Sequence, residues 1–297
     1  MIKTGLQLPA GSGPEIVRLL LRHPDVDLRW VSANAMPPEG VTALFDAIQG
    51  ESTPISPVPD FENIDLYIGP DTAALDRFLG QNVRAKAILT NMMMRPVDAS
   101  DGVPGVCEFN RKALVRGARV ALQPDITTLL GALALMPLAK NLLLNTPVTG
   151  TMLLPGRTGT SIRVPAATLP PLDFKVLREN ILAHLQQSFS APIEITSVEH
   201  SDTFACAILT IDVRMALDQI RRIYTEFYAD HRHIFFPTRT ITREMVTGTN
   251  KTAISLGHDG LGRLIVTAAF DSRYKAGAGN VIHMLNLLFG LDELTGF

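Results

Sequence analysis

Residues 121–140 read ALQPDITTLLGALALMPLAK: the end of a strand, a turn at Gln123-Pro124-Asp125, and a helix that is apolar throughout. In α/β enzymes such a turn often presents a nucleophile, because it stands at the mouth of a ligand crevice. Here no Cys, Ser, Lys or His occupies its tip. Asp125 is the one ionisable group. A carboxylate just before a helix reads first as an N-cap, with Thr127 and Thr128 as further caps.

Other stretches carry reactive or ligand-binding residue types. The turn PAGSGP sets Gly11, Ser12 and Gly13 between a strand and a helix, where glycines let backbone amides approach a phosphate. The run AGAGN sets Gly277, Gly279 and Asn280 at the entry to the last helix, where a ligand or another backbone can approach closely. In HRH, His231 and His233 share one face if the segment is a strand, and a metal would need a third ligand that the sequence does not identify. A solvated or interface strand is the simpler reading, so no metal site is expected. The two cysteines, Cys107 and Cys206, fall in segments where a buried, inert thiol is the common outcome.

The elements that must position these residues follow from hydrophobic spacing. Residues 2–8, 27–33, 64–68, 85–90 and 115–122 read as short buried strands, and 15–22 and 72–79 as helices between them. Such alternation over the first 125 or so residues predicts a Rossmann-like, doubly wound parallel sheet. Past the helix at 129–144 the strands lengthen and turn β-branched, at 193–198, 204–213, 252–256 and 263–269, with helices at 173–187 and 215–228. That texture predicts an α+β domain on a mostly antiparallel mixed sheet, while 147–171, rich in Gly, Pro and Thr, reads as a loop or lid. The last helix spans 279–289. The expected division is 1–128 with 276–297 as a nucleotide-binding type of domain, and 129–275 as a catalytic or dimerisation type.

Composition sets outer bounds. Apolar residues are 46% and charged residues 19%, with net charge −2, so nothing gathers nucleic acid or an anionic membrane. Two cysteines make no disulfide scaffold, no apolar run approaches the roughly 20 residues that span a bilayer, and the cytoplasm is the default compartment.

The C-terminal stretch RYKAGAGNVIHMLNLLFGLDELTGF resembles the end of N-acetyl-gamma-glutamyl-phosphate reductases, as do GRLIVTAAFDSRYK, VTGTNKTAI, PEIVRLLLRHPDVDLRWVSA and CEFNRKALVRGARVALQPD. The likeness covers most of the chain, and the related aspartate-semialdehyde dehydrogenases share the plan. It implies a homodimer or homotetramer and NADP-dependent reduction of an acyl phosphate to a semialdehyde in arginine biosynthesis. The family's parts are a cysteine nucleophile, a histidine acid/base and a Gly-rich phosphate loop.

Each part is altered here. QPDITT overlays the family's NPGCYP, which puts the nucleophile position on Ile126, a side chain that forms no thioester. A carboxylate such as Asp125 attacking an acyl phosphate only exchanges one activated acyl group for another. LPGRTGTS runs into LPPLDFKVLREN without the family's histidine segment. In LPAGSG, Leu8 stands for the first glycine and Pro9 removes an amide donor. The expectation is a diverged member that has lost the reaction and binds a metabolite or partner enzyme. Two alternatives stand beside it: an active reductase with a substituted centre, or a non-redox enzyme on an acyl phosphate or amino-acid derivative. The last would use Asp125, Arg157, Arg163 and Lys251 for anion binding and acid/base work. On the cofactor side the resemblance points to NADP, with Gly11, Ser12, Gly13, Gly277, Gly279 and Asn280 as the binding residues.

Overall fold

The computed structural model describes residues 1–8, 14–32, 60–70, 72–81, 84–90, 102–156, 174, 176–189, 191–200 and 202–297. Contacts divide the chain into two compact units, Met1–Asp125 with Ala276–Phe297, and Ile126–Lys275.

The first unit is built on six parallel strands: β1 (Ile2–Gln7), β2 (Val26–Ser32), β3 (Leu66–Gly69), β4 (Lys86–Leu89), β5 (Val103–Pro104) and β6 (Val120–Leu122). Their order is β2-β1-β3-β4-β6-β5, the doubly wound arrangement that the strand and helix alternation predicts. Since side chains alternate across a strand, Leu6, Leu66 and Ile68 enter one apolar layer with helices α1 (Glu15–Arg22), α3 (Cys107–Val115) and α6 (Gly279–Phe289). Tyr67 enters the opposite layer, where it packs with Trp30, Phe61 and Phe78 of helix α2 (Thr72–Gln81). The indole of Trp30 lies over Gly5, where a Cβ would come within 2.3 Å of the ring.

The largest departure from the expected boundaries in this unit is in the strand expected over 115–122. Val115 ends α3 rather than opening a strand, and β6 is only three residues long. CEFNRKALV carries no strong periodicity in either direction, so its burial against α6 decides the helix.

The second unit holds a mixed six-stranded sheet in the order β10-β11-β12-β9-β7-β8. Its strands are β7 (Val148–Pro155), β8 (Ile193–His200), β9 (Phe204–Ile211), β10 (Ile234–Phe235), β11 (Thr252–His258) and β12 (Leu264–Asp271). The three central pairings are antiparallel; β7–β8 and β10–β11 are parallel. Helix α4 (Ile126–Lys140), buried on all sides, packs on β9 and β12, beside α5 (Leu217–Phe227) and a π-helical turn at Val176–Leu182.

The loop expected over 147–171 is corrected in its first third: 148–155 is a central strand, while 157–171 lies outside the described residues. Gly150 explains both the strand and why it reads as a loop. A Cβ there would meet the Ile208 carbonyl oxygen at 2.2 Å, so the glycine permits close approach of β9.

Pro137 inside α4 is also accommodated. Proline has no N–H for the carbonyl four residues back, Leu133. The hydroxyl of Tyr228 donates to that oxygen at 2.6 Å, and Tyr224 donates to Ala134 at the same distance.

Candidate functional site

The carboxyl ends of β1, β3, β4 and β6 are where a doubly wound sheet places its ligands. At the end of β6, Gln123 is buried, and its side-chain amide donates to the carbonyls of Ala276 and Gly277 at 2.8 and 3.0 Å. The sequence places this residue in the turn without assigning it a role. Its signal was its place, one residue before Pro124 in the turn.

The small-residue run is held a second time from the α3 side. Asn280, fully buried, donates from Nδ2 to the Gly105 carbonyl at 3.0 Å, and its Oδ1 accepts from the Cys107 thiol at 3.7 Å. A Cβ at Gly105 would lie 2.9 Å from the Leu122 carbonyl oxygen and 2.2 Å from the sulfur of Met284, so the glycine permits this close approach. Gly279 opens α6 and is buried, whereas Gly277 is half-buried. The AGAGN motif is therefore gripped by Gln123, Gly105 and Cys107, and the Asn280 side chain faces this internal contact.

Asp125 and Ile126 are both half-buried, and Ile126 is the first residue of α4. Neither thiol stands at this turn. Cys107 begins α3 with 0% exposure, and Cys206 sits within β9, where burial pushes its thiol up to about 11. At neutral pH that thiol carries almost no thiolate.

Lys251 is exposed in the second unit, immediately before β11. The HRH segment departs from the strand expectation: His231–His233 form a turn ahead of β10, held by bonds from His231 N to Tyr228 O and from Ile234 N to His231 O. His233 is buried, and no group of three or more metal-ligating side chains occurs among the described residues. Gly11, Ser12, Gly13, Arg157 and Arg163 lie outside the described residues.

Beside the glycine turn, Leu8 packs against the apolar core of its unit, and its N–H donates to the Ser32 carbonyl at 2.8 Å. Across β1 and β3, the Tyr67 hydroxyl donates to the Gln7 side-chain carbonyl at 2.6 Å.

A parallel doubly wound sheet joined to a mixed sheet, with the chain's last helix returning to the first unit, is the fold of the semialdehyde dehydrogenases. Aspartate semialdehyde dehydrogenase II of Vibrio cholerae, solved in complex with ASA, superposes with a TM-score of 0.71 at 13% identity, covering 98% of each chain. A second structure of that enzyme gives 0.69 at 12% identity, covering 98% of this chain and 99% of the other. The homologues of this chain are N-acetyl-gamma-glutamyl-phosphate reductases. That of Phocaeicola vulgatus is 28% identical over 320 aligned positions, and that of Christiangramia forsetii 26% over 321, each alignment covering 100% of this chain and 98% of the relative. No protein-family model matches the chain.

Proposed function

We propose that this chain is a diverged relative of the N-acetyl-gamma-glutamyl-phosphate reductases that keeps their fold, has lost thiol-mediated reduction, and acts by binding an amino-acid-derived or acyl-phosphate metabolite. The observation that carries the reading is the turn at the head of α4. Its first helical residue is Ile126, whereas both thiols are buried in other elements. Covalent acyl transfer needs a thiolate that the substrate can reach, and a buried thiol whose ionisation is suppressed does not serve.

Apolar side chains on the outer face of the mixed sheet support self-association as a homodimer or homotetramer. Ile208 and Val198 stand exposed there at 44% and 40%, in register with Thr151 and Leu153 of β7. A soluble, cytoplasmic protein is the corresponding reading; among the described residues no helix is long and apolar enough to cross a membrane.

The test is a direct assay with purified protein, NADPH and N-acetyl-gamma-glutamyl phosphate. No NADPH oxidation above background is expected. Oxidation abolished by Cys107→Ala or Cys206→Ala would overturn the proposal. Binding is read separately, as thermal stabilisation by N-acetylglutamate, with a shift that saturates as ligand concentration rises.

A further inference from the structure

A polar atom buried in a folded protein must find a hydrogen-bond partner, because folding has removed the bulk water that served it. Where the chain enters β11, three such atoms have no partner among the described residues: Asn250 Nδ2, Asn250 Oδ1 and Thr252 Oγ1. Asn250 is 4% exposed and Thr252 0%, whereas Lys251 between them is exposed. The two side chains therefore turn inward together, as alternate residues of an extended chain do.

The groups around them are already engaged. Beyond the short helical turn at Arg243–Met245, the N–H and the hydroxyl of Thr249 both donate to the Val246 carbonyl, at 3.1 and 2.8 Å. The Gly248 N–H donates to the buried Asp271 carboxylate at 2.8 Å, and the Lys251 N–H to the Thr249 hydroxyl at 3.3 Å. Thr252 opens β11 with its N–H donated to the His233 carbonyl at 2.8 Å, in register with Ile234 of β10 and Phe270 of β12. The main chain on both sides of Asn250 is thus fixed, which holds its amide inside.

The chemistry of the three atoms selects the occupant. An amide presents both a donor and an acceptor, and a hydroxyl serves as either. Exchanging the oxygen and nitrogen of Asn250 changes nothing, since both ends lack partners. A cation would face the amide hydrogens and an anion the amide oxygen, whereas a neutral molecule that donates and accepts suits all three. Water is the smallest of these, and a buried water typically makes about three hydrogen bonds to groups the protein leaves unpaired. Alternate residues of an extended chain lie about 7 Å apart. Two hydrogen bonds of about 2.9 Å and the length of the asparagine side chain cover that span.

We infer that Asn250 and Thr252 form a buried hydration site at the head of β11, in which one ordered water bonds both residues. That water joins the turn at 246–250 to the sheet, and the site does not depend on whether the chain retains any catalysis.

The experiment uses the full chain in buffer. Magnetic relaxation dispersion of water counts the molecules held for longer than the protein takes to tumble, and it is read for the parent, Thr252→Val and Asn250→Leu. Each replacement approximates the shape of its side chain and removes the polar atoms. Loss of about one long-lived water is expected in either variant. The urea midpoint should fall in Thr252→Val, and fall by less when the same change is made in Asn250→Leu, because the shared water has already gone. An unchanged dispersion amplitude in either variant, a higher midpoint for Thr252→Val, or equal falls in the two backgrounds would each overturn the inference, since an unpaired hydroxyl is better removed. If neither variant folds, the parent alone decides: dipolar magnetisation transfer from water to the Asn250 side-chain amide supports the site, and its absence overturns it.

Discussion

Gln123 and Gly277, 154 positions apart in the chain, are joined by a hydrogen bond of 3.0 Å from the glutamine side-chain amide to the glycine carbonyl. The same amide nitrogen reaches Ala276 at 2.8 Å. The entry to the final helix is thereby fastened to the strand end that opens the turn. Replacing the donor, as in Gln123→Glu, leaves two carbonyls without it at a buried position. A loss of about 1–3 kcal/mol is expected. Urea unfolding measures it, and faster amide exchange over residues 276–280 would localise it; an unchanged midpoint would remove Gln123 from this role.

The Tyr228 hydroxyl supplies what Pro137 withholds from the Leu133 carbonyl. Tyr228→Phe should therefore cost about 1–3 kcal/mol. In a Pro137→Ala background the new backbone N–H can bond Leu133, so the same substitution should cost less. A double-mutant cycle reads the difference as coupling. Equal costs in the two backgrounds would show that the hydroxyl and the proline act independently.

Burial of Cys206 ties stability to alkaline pH. Its thiol is pushed from 9.0 to about 11 in the folded chain. Below pH 9 both states hold the proton and the group is neutral to stability. Between 9 and 11 the unfolded chain releases its proton first, so stability falls as pH rises, by on the order of 2–3 kcal/mol in total. Urea titrations from pH 8 to 11 should show this decline in the parent, and a flatter one in Cys206→Ala. Neither Cys206 nor Cys107 should react with iodoacetamide at pH 8 unless the protein is unfolded.

The half-buried position at the head of α4 offers a contrasting probe. Ile126→Cys would set a thiol at a helix N-terminus, where the partial positive charge favours thiolate. Alkylation at that position should proceed well ahead of the two native cysteines, as followed by peptide mass spectrometry. A thiol there as inert as Cys206 would show that the turn is closed to small reagents.

Self-association through the mixed sheet is tested at Ile208. Its exposed side chain lies opposite Thr151 and Thr267 on flanking strands. A charge placed among contacting side chains in an interface is costly to desolvate, so Ile208→Lys should shift the assembly to monomer in light scattering, with secondary structure unchanged by circular dichroism. An unaltered mass would rule this face out as the contact.

Much of this protein was legible before its structure. Helices 15–22 and 279–289 agree with their spacing, because apolar residues three and four apart must share a buried face. The parallel sheet followed from short apolar strands separated by helices, and the absence of a cysteine at Ile126 is a fact of composition. Other features depended on long-range packing. Gly150 and its threonine neighbours read as a loop, yet form a central strand, because the meaning of a missing Cβ depends on the β9 backbone that approaches it. The spacing of His231 and His233 fits one face of a strand, whereas the segment forms a turn. Asn280 and Gln123 are ordinary polar residues in sequence; only the fold brings them to Gly105 and Gly277, where buried amides must find partners. Local periodicity thus determined the elements and which reactive side chains exist, whereas tertiary structure decided what each polar group meets, because those partners lie more than a hundred residues away along the chain.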